Sequence, residues 1–316
     1  MNTADLKFLR RELLLLKKHY EITKNPRFLE DREQYMIIRG MHSIEKGLSL
    51  ANPRPGFGVN KVLALIKRIE SYNHAGFDCH HPSIQMALGA IKQYVEWNRD
   101  HHALNDDVST CFDHLLETIP FDCSVGGGAN HYCKRSLLTF DLDAYKKVVY
   151  SRHSIRSFGS DDVPKDTLID AVEDANRCPS ACNRQSTKVH IIMSQDGKAY
   201  MADHLEGTGG FAESCNGFIL VTGSVSAFDF TENNQWIVSA GIFVGNLVLA
   251  LHARKVASCV IQRPLVRSKS MLEMRNRFNI PDNEEIICAI GYGFYPEEFS
   301  APDSVRLPAE EIVSFH

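Results

Sequence analysis

The chain has 316 residues, of which 44% are hydrophobic and 23% are charged, as is typical of a globular protein with a substantial core. Its formal net charge of −4 disfavours a general nucleic-acid binder, because such proteins usually carry an excess of basic residues. The nine cysteines are scattered and form no Cys-x-x-Cys pair. This usage indicates reduced thiols, so we expect a cytoplasmic protein without a disulfide framework.

The first twenty residues do not have the pattern of a signal peptide. Their uninterrupted apolar run, residues 13–16, is short and is bounded by charged residues. Apolar side chains follow helical spacing at Leu6, Leu9, Leu13, Leu16 and Tyr20. The spacing predicts an amphipathic helix, and we favour packing of this helix on its own domain over a role at a membrane surface.

Helical periodicity dominates the first part of the chain. It predicts helices over residues 4–24, 29–47, 58–74, 82–99 and 105–118. The stretch "CSVGGGAN", residues 123–130, has three consecutive glycines and predicts a flexible loop or linker. A phosphate-binding loop is disfavoured there, since no Gly-Lys-Ser/Thr follows. We therefore predict an all-helical N-terminal domain over residues 1–138.

The most distinctive stretch of this domain is "HSIEKGLSLANPRPGFG", residues 42–58. Its prolines and glycines predict an ordered loop. The side chains of His42, Glu45, Lys46 and Arg54 could present charge to a ligand. We favour the simpler interpretation, in which the loop is rigid and these charges are solvated.

Residues 139–316 show a different pattern. Apolar, β-branched runs predict strands over residues 187–194, 217–224, 256–262 and 285–293. Helical segments alternate with them at residues 142–151, 164–177, 195–205, 233–254 and 268–277. The apolar run 239–253 is shorter than the roughly 20 residues of a membrane span, so we expect a buried helix and no membrane span. The pattern predicts an α/β layer structure.

Four motifs follow one another in this second part. The stretch "SRHSIRSF", residues 151–158, follows a helix and could be only a solvated cap. The cluster "CPSACNRQS", residues 178–186, follows another helix, and a small-residue helix then carries Gly241 and Gly245. "AIGYG" comes last and is followed by the basic Arg306.

In this order the motifs resemble those of the nitroreductase family of flavin enzymes. The family's Arg-[Arg/His]-Ser-x-[Arg/Lys] reads Arg152 to Arg156 here, and its Ala-Pro-Ser-x-x-Asn-x-Gln reads Cys178 to Gln185. The resemblance covers about residues 142–316. It implies an α+β, three-layer fold with a central mixed, largely antiparallel sheet flanked by helices. This flavin-binding domain would span residues 139–316, after the helical domain.

The resemblance implies an FMN site. The dianionic phosphate of FMN requires guanidinium and hydroxyl donors. By resemblance, Arg152, Ser154 and Arg306 hold that phosphate with His153 beside them. Arg156 reaches the N1/O2 edge of the flavin ring, where a cation stabilises the negative charge of the reduced form.

The family builds its two flavin sites at a homodimer interface. The resemblance implies that the second motif approaches the partner's flavin, chiefly through Pro179, Ser180 and Asn183, with Ala181 and Gln185 in the same motif. The Gly241-x-x-x-Gly245 spacing suits close helix packing, either at that interface or inside one subunit.

The sequence departs from the family pattern in three places, the first of which is that most members lack anything like residues 1–138. The family's Gly-Leu-Gly-Ser near flavin N5 corresponds to residues 255–258, so the backbone donors there would come from Ala257 and Ser258. The Gln-Pro-Trp that often follows the second motif is Gln185-Ser186-Thr187 here, which affects the substrate side.

The resemblance implies an FMN-dependent oxidoreductase. It would use NADH or NADPH to reduce a small organic acceptor, such as a nitro compound or a quinone, by ping-pong hydride transfer through flavin N5. The alternative is a non-catalytic flavin-binding sensor or scaffold, with the N-terminal domain as a partner-binding module. We expect no metal site, because the paired donors lack the ligand spacing of structural zinc: Cys79-His80-His81, His101-His102 and Cys111-x-x-His114.

Overall fold

A computed structural model describes residues 3–232, 234–262 and 269–316 of the chain. The helices are α1 Thr3–Lys24, α2 Leu29–Leu48, α3 Val59–His74, α4 Pro82–Asp100, α5 Asp106–Thr118, α6 Lys134–Leu137, α7 Leu142–Ser151, α8 Lys165–Ala175, α9 Gln195–His204, α10 Gln235–Ala253 and α11 Lys269–Arg277. The predicted helices agree with these bounds to within a few residues. The predicted starts at residues 233 and 268 lie outside the described residues, and the short α6 was not predicted.

The four predicted strands are confirmed. They are β1 Thr187–Ile192, β2 Gly217–Ser224, β3 Val256–Ile261 and β4 Glu284–Phe294. They form one sheet in the order β1-β2-β4-β3, and all three pairings are antiparallel. Among the described residues, the one parallel element is an isolated bridge between Ser154 and Ser258.

Helices cover both faces of the sheet, and β2 shows why. Its alternate residues Ile219 and Val221 belong to the core cluster that includes residues of α8 and α10. Phe218 and Leu220 belong to the cluster that includes Met201 of α9 and residues of α11. Successive side chains of a strand point to opposite faces, so an apolar run is buried on both sides. The predicted three-layer α+β fold is therefore confirmed.

The N-terminal helices have their own core, but they also enter the core of the sheet layer. One apolar cluster is drawn from α2 to α5 and the segments that join them. However, Ile22, Phe28 and Tyr35 belong to the cluster that packs on the sheet. Arg32 also bonds Asp229 at 2.8 Å across the same contact. The domain boundary at residue 138 stays a prediction. The N-terminal helices bury part of their surface against residues that follow this boundary.

The first turns of the α1 apolar stripe are exposed, whereas its end packs on the chain. Leu6, Leu9 and Leu13 are 53%, 45% and 66% exposed, while His19 and Ile22 are buried. We favoured packing of α1 on its own domain, and Ile22 near its end belongs to a core cluster. Helical spacing reports which residues share a face, but it does not report whether that face meets another element of the chain.

The triple-glycine stretch is a fixed loop, not a flexible linker. Gln93 of α4 donates to the Ala129 carbonyl at 2.7 Å and accepts from the Ala129 amide at 2.6 Å. Gly127 has φ 129°, and a Cβ atom there would overlap the carbonyl oxygen of Met86. The glycines therefore allow this backbone to lie directly on α4.

The loop within residues 42–58 is also held on α4. The Tyr94 hydroxyl donates to the Phe57 carbonyl at 2.5 Å, and the Gly56 amide donates to Asn98 at 2.7 Å. His42 contacts Glu45 at 3.2 Å. These contacts agree with the interpretation of a rigid loop.

Candidate functional site

The first motif lies along β3. Helix α7 ends at Ser151, and the chain then runs beside the strand, where the Ile155 amide donates to the Ser258 carbonyl at 3.1 Å. Ile155 is fully buried, and Ser154 forms the parallel bridge with Ser258. Since neighbours in extended backbone point to opposite sides, Ser154 and Arg156 point away from the core. The structure thus brings the first motif and the predicted β3 residues together.

The two arginines of the motif have no acidic partner among the described residues. Arg152 is half-buried and Arg156 is exposed, and the Arg156 guanidinium reaches only the Ser154 carbonyl, at 3.5 Å. Burial raises the pKa of the Cys259 thiol, while the charges of Arg156 and Arg152 act to lower it. Both guanidiniums therefore lie near the same point of β3 and form a cationic site.

A hydrogen-bonded histidine adjoins Arg152. His252, near the end of α10, contacts the Ser151 hydroxyl through Nε2 at 2.7 Å and the Tyr295 hydroxyl through Nδ1 at 2.7 Å. Burial lowers the pKa of His252, and the charges of Arg152 and His153 lower it further. The sequence motifs did not identify this residue. The one available signal was a basic side chain in the last turn of an apolar helix.

The β3 side of the site consists of buried backbone. Ala257 and Ser258 are buried, and they pair with Gly293 and Tyr292 of β4. Lys255, just before the strand, has φ 62°, in the left-handed region that favours glycine. Lys255 therefore has a left-handed backbone conformation that glycine adopts more easily.

The second motif lies between α8 and β1. Pro179 is exposed, and Ser180, Ala181, Asn183 and Gln185 are half-buried. The backbone is left-handed at Asn183 and Gln185, with φ 54° and 50°, and also at Cys182, with φ 53°. Such conformations cost free energy and occur often at functional sites.

Hydrogen bonds within the second motif hold this backbone. The Gln185 backbone amide donates to the Ser180 hydroxyl at 3.0 Å, and the Asn176 side chain donates to the Gln185 side-chain oxygen at 3.3 Å. No hydrogen bond or ion pair joins the first motif to the second among the described residues. The two motifs are therefore not assembled into one site by these contacts within a single chain.

Arg184 of the second motif is paired and buried. Its guanidinium forms two hydrogen bonds with Glu232, at 3.0 and 2.5 Å, and donates to the Ala227 carbonyl at 2.5 Å. It also lies 4.6 Å from the centroid of the Phe228 ring. The sequence pattern treats this position as variable, so this structural role was not predicted.

No described hydrogen bond or ion pair joins Arg306 to the other predicted phosphate ligands, and its role stays a prediction. It lies on an exposed C-terminal tail and donates to the Ser304 carbonyl. Its neighbours Val305 and Leu307 are 82% and 72% exposed. The described contacts place neither Arg152 nor Ser154 beside it.

Helix α10 is buried on one face only. Trp236, Phe243, Leu247 and Leu251 are buried. The other face carries exposed Val238, Gly241, Ile242 and Gly245, and a Cβ atom on either glycine would meet no atom of the described residues within 4 Å. Close packing inside the subunit therefore does not explain these glycines.

The same helix is long and apolar enough to cross a membrane by length and composition. The core helices of soluble proteins pass the same test. It has 19 residues, against the 15 of the apolar run in the sequence. Its contacts with the sheet and α8 agree with the predicted packing role.

In the part of the chain that the structure describes, no group of three or more His, Cys, Asp or Glu residues could hold a metal ion. One of the paired donors, His81, has a structural role instead. It accepts a hydrogen bond from the Ser83 amide at 3.2 Å and so caps the start of α4.

Comparison with known proteins identifies the sheet layer. A family model described as "Nitroreductase family" matches residues 149–219 and 231–294. These ranges contain the first and second motifs, α10, β3 and β4, whereas the N-terminal helices and Arg306 lie outside them. No curated protein matches the sequence.

Several solved structures are similar to about half of the chain. An FMN-dependent nitroreductase from Clostridium difficile is 21% identical, over 53% of this chain and 96% of that one, with a TM-score of 0.45. A nitroreductase family protein from Streptococcus pneumoniae is 20% identical, over 54% and 100%, with a TM-score of 0.45. A protein from Desulfovibrio desulfuricans, solved in complex with FMN, is 20% identical, over 56% and 98%, with a TM-score of 0.45.

Proposed function

We propose that this chain, whose residues 149–219 and 231–294 match the Nitroreductase family model, binds FMN at the cationic site on β3 and reduces a small organic acceptor. The family match supports a flavin oxidoreductase. The electron donor, NADH or NADPH, and the acceptor, a nitro compound or a quinone, are part of the proposal. When bound, FMN supplies hydride transfer at its N5 atom, and the protein supplies orientation and charge.

The observation that carries the proposal is a pair of arginines without acidic partners among the described residues. Arg152 and Arg156 flank Ser154 on backbone that is fixed to β3. A half-buried guanidinium is stabilised by an anion that accepts several hydrogen bonds, and a phosphate dianion is such a group. The residues therefore fit FMN: Arg152, His153 and Ser154 would hold the phosphate, and Arg156 would lie at the N1/O2 edge of the ring.

We also propose a homodimer with shared flavin sites. The exposed stripe on α10 offers a small-residue apolar surface against which an identical helix could pack closely. Within one chain, no described hydrogen bond or ion pair joins the two motifs. A dimer would allow Ser180 and Asn183 to approach the flavin held by the partner's first motif.

Titration with FMN tests the proposal. We expect one flavin for each chain, seen as quenching of flavin fluorescence and a shifted visible absorbance band. Arg152→Met should weaken binding, whereas Arg99→Met, at an exposed arginine of α4, should not. A folded protein that binds no FMN would overturn the proposal.

Steady-state oxidation of NADH and NADPH separates the enzyme from a flavin-binding scaffold. With menadione or nitrofurazone as acceptor, we expect turnover that depends on bound FMN. A protein that holds FMN but oxidises neither nicotinamide with either acceptor would instead be a binding protein.

A further inference from the structure

A cavity lies where the N-terminal helices meet the second motif. Its volume is about 460 Å³, within the range of small-molecule sites. The lining comes from α2, the start of α4, α8, the end of the second motif with β1, and α10. Binding sites often form at such junctions between structural units.

The walls of the cavity are largely apolar. Five of the lining side chains are hydrophobic, and each comes from a different element: Ile38, Met86, Val172, Val189 and Phe243. Burial of an apolar ligand surface against such walls is favourable, at about 25 cal/mol for each Å² removed from water. The cavity therefore suits a ligand with an aromatic or aliphatic body.

Two basic side chains contribute to the lining, of which Arg184 is already paired with Glu232 and Lys188 is not paired with a described residue. Lys188 is exposed at the edge of the cavity, with Nζ 6.0 Å from the centroid of the Tyr35 ring. Its charge acts on the carboxylate of Glu284, but its ammonium group forms no ion pair or hydrogen bond with a described residue. Arg184 is 1% exposed, and its Nε has no hydrogen-bond partner among the described residues. The one lining carboxylate, Glu173, is exposed to solvent.

His81 shows that the charge of Lys188 acts within the cavity. Burial lowers the pKa of His81, and Lys188 is the next largest cause, although Asp78 and other acids act in the opposite direction. His81 also caps α4, whose N-terminal end carries a partial positive charge. Lys188 is therefore the cation of the cavity that a carboxylate ligand could reach, although Asp78, Glu30 and Asp31 also act on His81.

We propose that this cavity binds a small organic acid, with its carboxylate at Lys188 and its apolar body between Met86 and Phe243. The site is distinct from the cationic site on β3 and does not depend on the proposed flavin chemistry. The cavity does adjoin the second motif. Gln185 lines the cavity, and its backbone amide donates to the Ser180 hydroxyl.

Calorimetry on the full chain, with FMN added to saturation, tests the proposal with 4-nitrobenzoate and 4-nitrobenzamide. The two probes share a shape and differ in charge. We expect the acid to bind about tenfold more tightly, as one charge-assisted contact would give. Lys188→Met should remove this preference, and Lys165→Met, at an exposed lysine of α8, should keep it.

Charge reversal provides a second, independent variant. Lys188→Glu should lose the acid and favour 4-nitrobenzylamine, which a merely unfolded variant would not do. Equal binding of acid and amide by the unmodified protein, no binding of either, or an acid preference that survives Lys188→Met would overturn the proposal. FMN titration of the same samples reports separately on the proposed function.

Discussion

The two motifs use arginine in opposite ways. In the first, Arg152 and Arg156 project from fixed backbone and have no acidic partner among the described residues. In the second, Arg184 is buried against Phe228 and bonded to both oxygens of Glu232. A paired, buried guanidinium holds the fold, whereas an unpaired one is available to a ligand. The environment of each arginine, and not its residue type, therefore indicates its role.

The largest expected effect comes from Arg184→Met. The substitution removes the main partner of the half-buried Glu232, which keeps Arg39 at 3.8 Å and the Asp229 amide at 3.2 Å. Breaking a fully buried pair costs about 3–5 kcal/mol, so we expect a loss toward the lower end of that range. Urea unfolding of the protein without FMN should show this loss, while Arg152→Met should change stability little. If Arg152→Met destabilises the protein as strongly as Arg184→Met, the contrast between the motifs is wrong.

Gly241→Leu tests whether dimerisation unites the two motifs. A side chain added at a tightly packed contact costs about 1–3 kcal/mol, and a two-fold interface contains it twice. A ligand that bridges subunits stabilises only the dimer, so the dimer and FMN binding should weaken together. Analytical ultracentrifugation and FMN titration measure the two. A monomeric variant that retains full FMN affinity would place the whole flavin site within one chain.

Asn246 provides a matched control on the same helix. It is exposed, and its side chain donates to the Ile242 carbonyl of α10 itself, at 3.0 Å. Asn246→Ala removes atoms without adding any, so it should preserve the dimer. A similar loss in both variants would show a general weakness of α10 and not a specific glycine contact.

The sequence predicted the sheet because the cause is local. Each strand is a short β-branched run, and β2, which is buried on both faces, has the predicted bounds, Gly217–Ser224. The first motif was also readable, since its charges and hydroxyl are adjacent in the chain. Its position on β3 depends on the bond from Ile155 to Ser258, which joins residues far apart in sequence.

Features that depend on distant contacts could not be predicted. Nothing near Arg184 indicates its partner Glu232, which is 48 residues away. His252 and Ser151 meet across 101 residues. The stripe on α1 has the right spacing for burial, yet its first members Leu6, Leu9 and Leu13 stay exposed. Spacing predicts local structure, whereas partners are decided by the packing of the whole chain.

The first motif itself divides into two predicted roles. Arg152→Met should lower FMN affinity about 10- to 100-fold, since a hydrogen bond to a charged group contributes about 1.5–3 kcal/mol. Arg156→Met should keep most of the affinity but lower the two-electron potential of bound FMN. A loss of about 1–2 kcal/mol of charge stabilisation corresponds to some tens of millivolts, at about 30 mV for 1.4 kcal/mol.

Dye-equilibration potentials and fluorescence titrations on both variants separate these roles. Loss of flavin from Arg156→Met, with an unchanged potential for the flavin that remains, would make Arg156 a phosphate ligand. Both Arg152 and Arg156 would then bind the phosphate. The contrast in the use of arginine would remain only between the first motif and the second.

The smallest expected effect is a pH dependence that distinguishes the histidines beside the two motifs. Burial is the main cause that lowers the pKa of both His252 and His81 below the usual 6.5. The unfolded chain then binds protons more readily, so stability is complete above pH 6.5 and falls as the pH decreases through the folded-state values. The melting temperature of the FMN-free protein should therefore decrease as the pH is lowered below 6.5. His252→Gln or His81→Gln should each make this decrease smaller.

Bound FMN should separate the two histidines. Its phosphate would offset the charge of Arg152 beside His252 but would not affect His81, because only His252 adjoins the first motif. FMN should therefore raise the pKa of His252 alone, as NMR titration of the two rings would show. Equal shifts at both histidines would mean that FMN does not bind specifically beside Arg152.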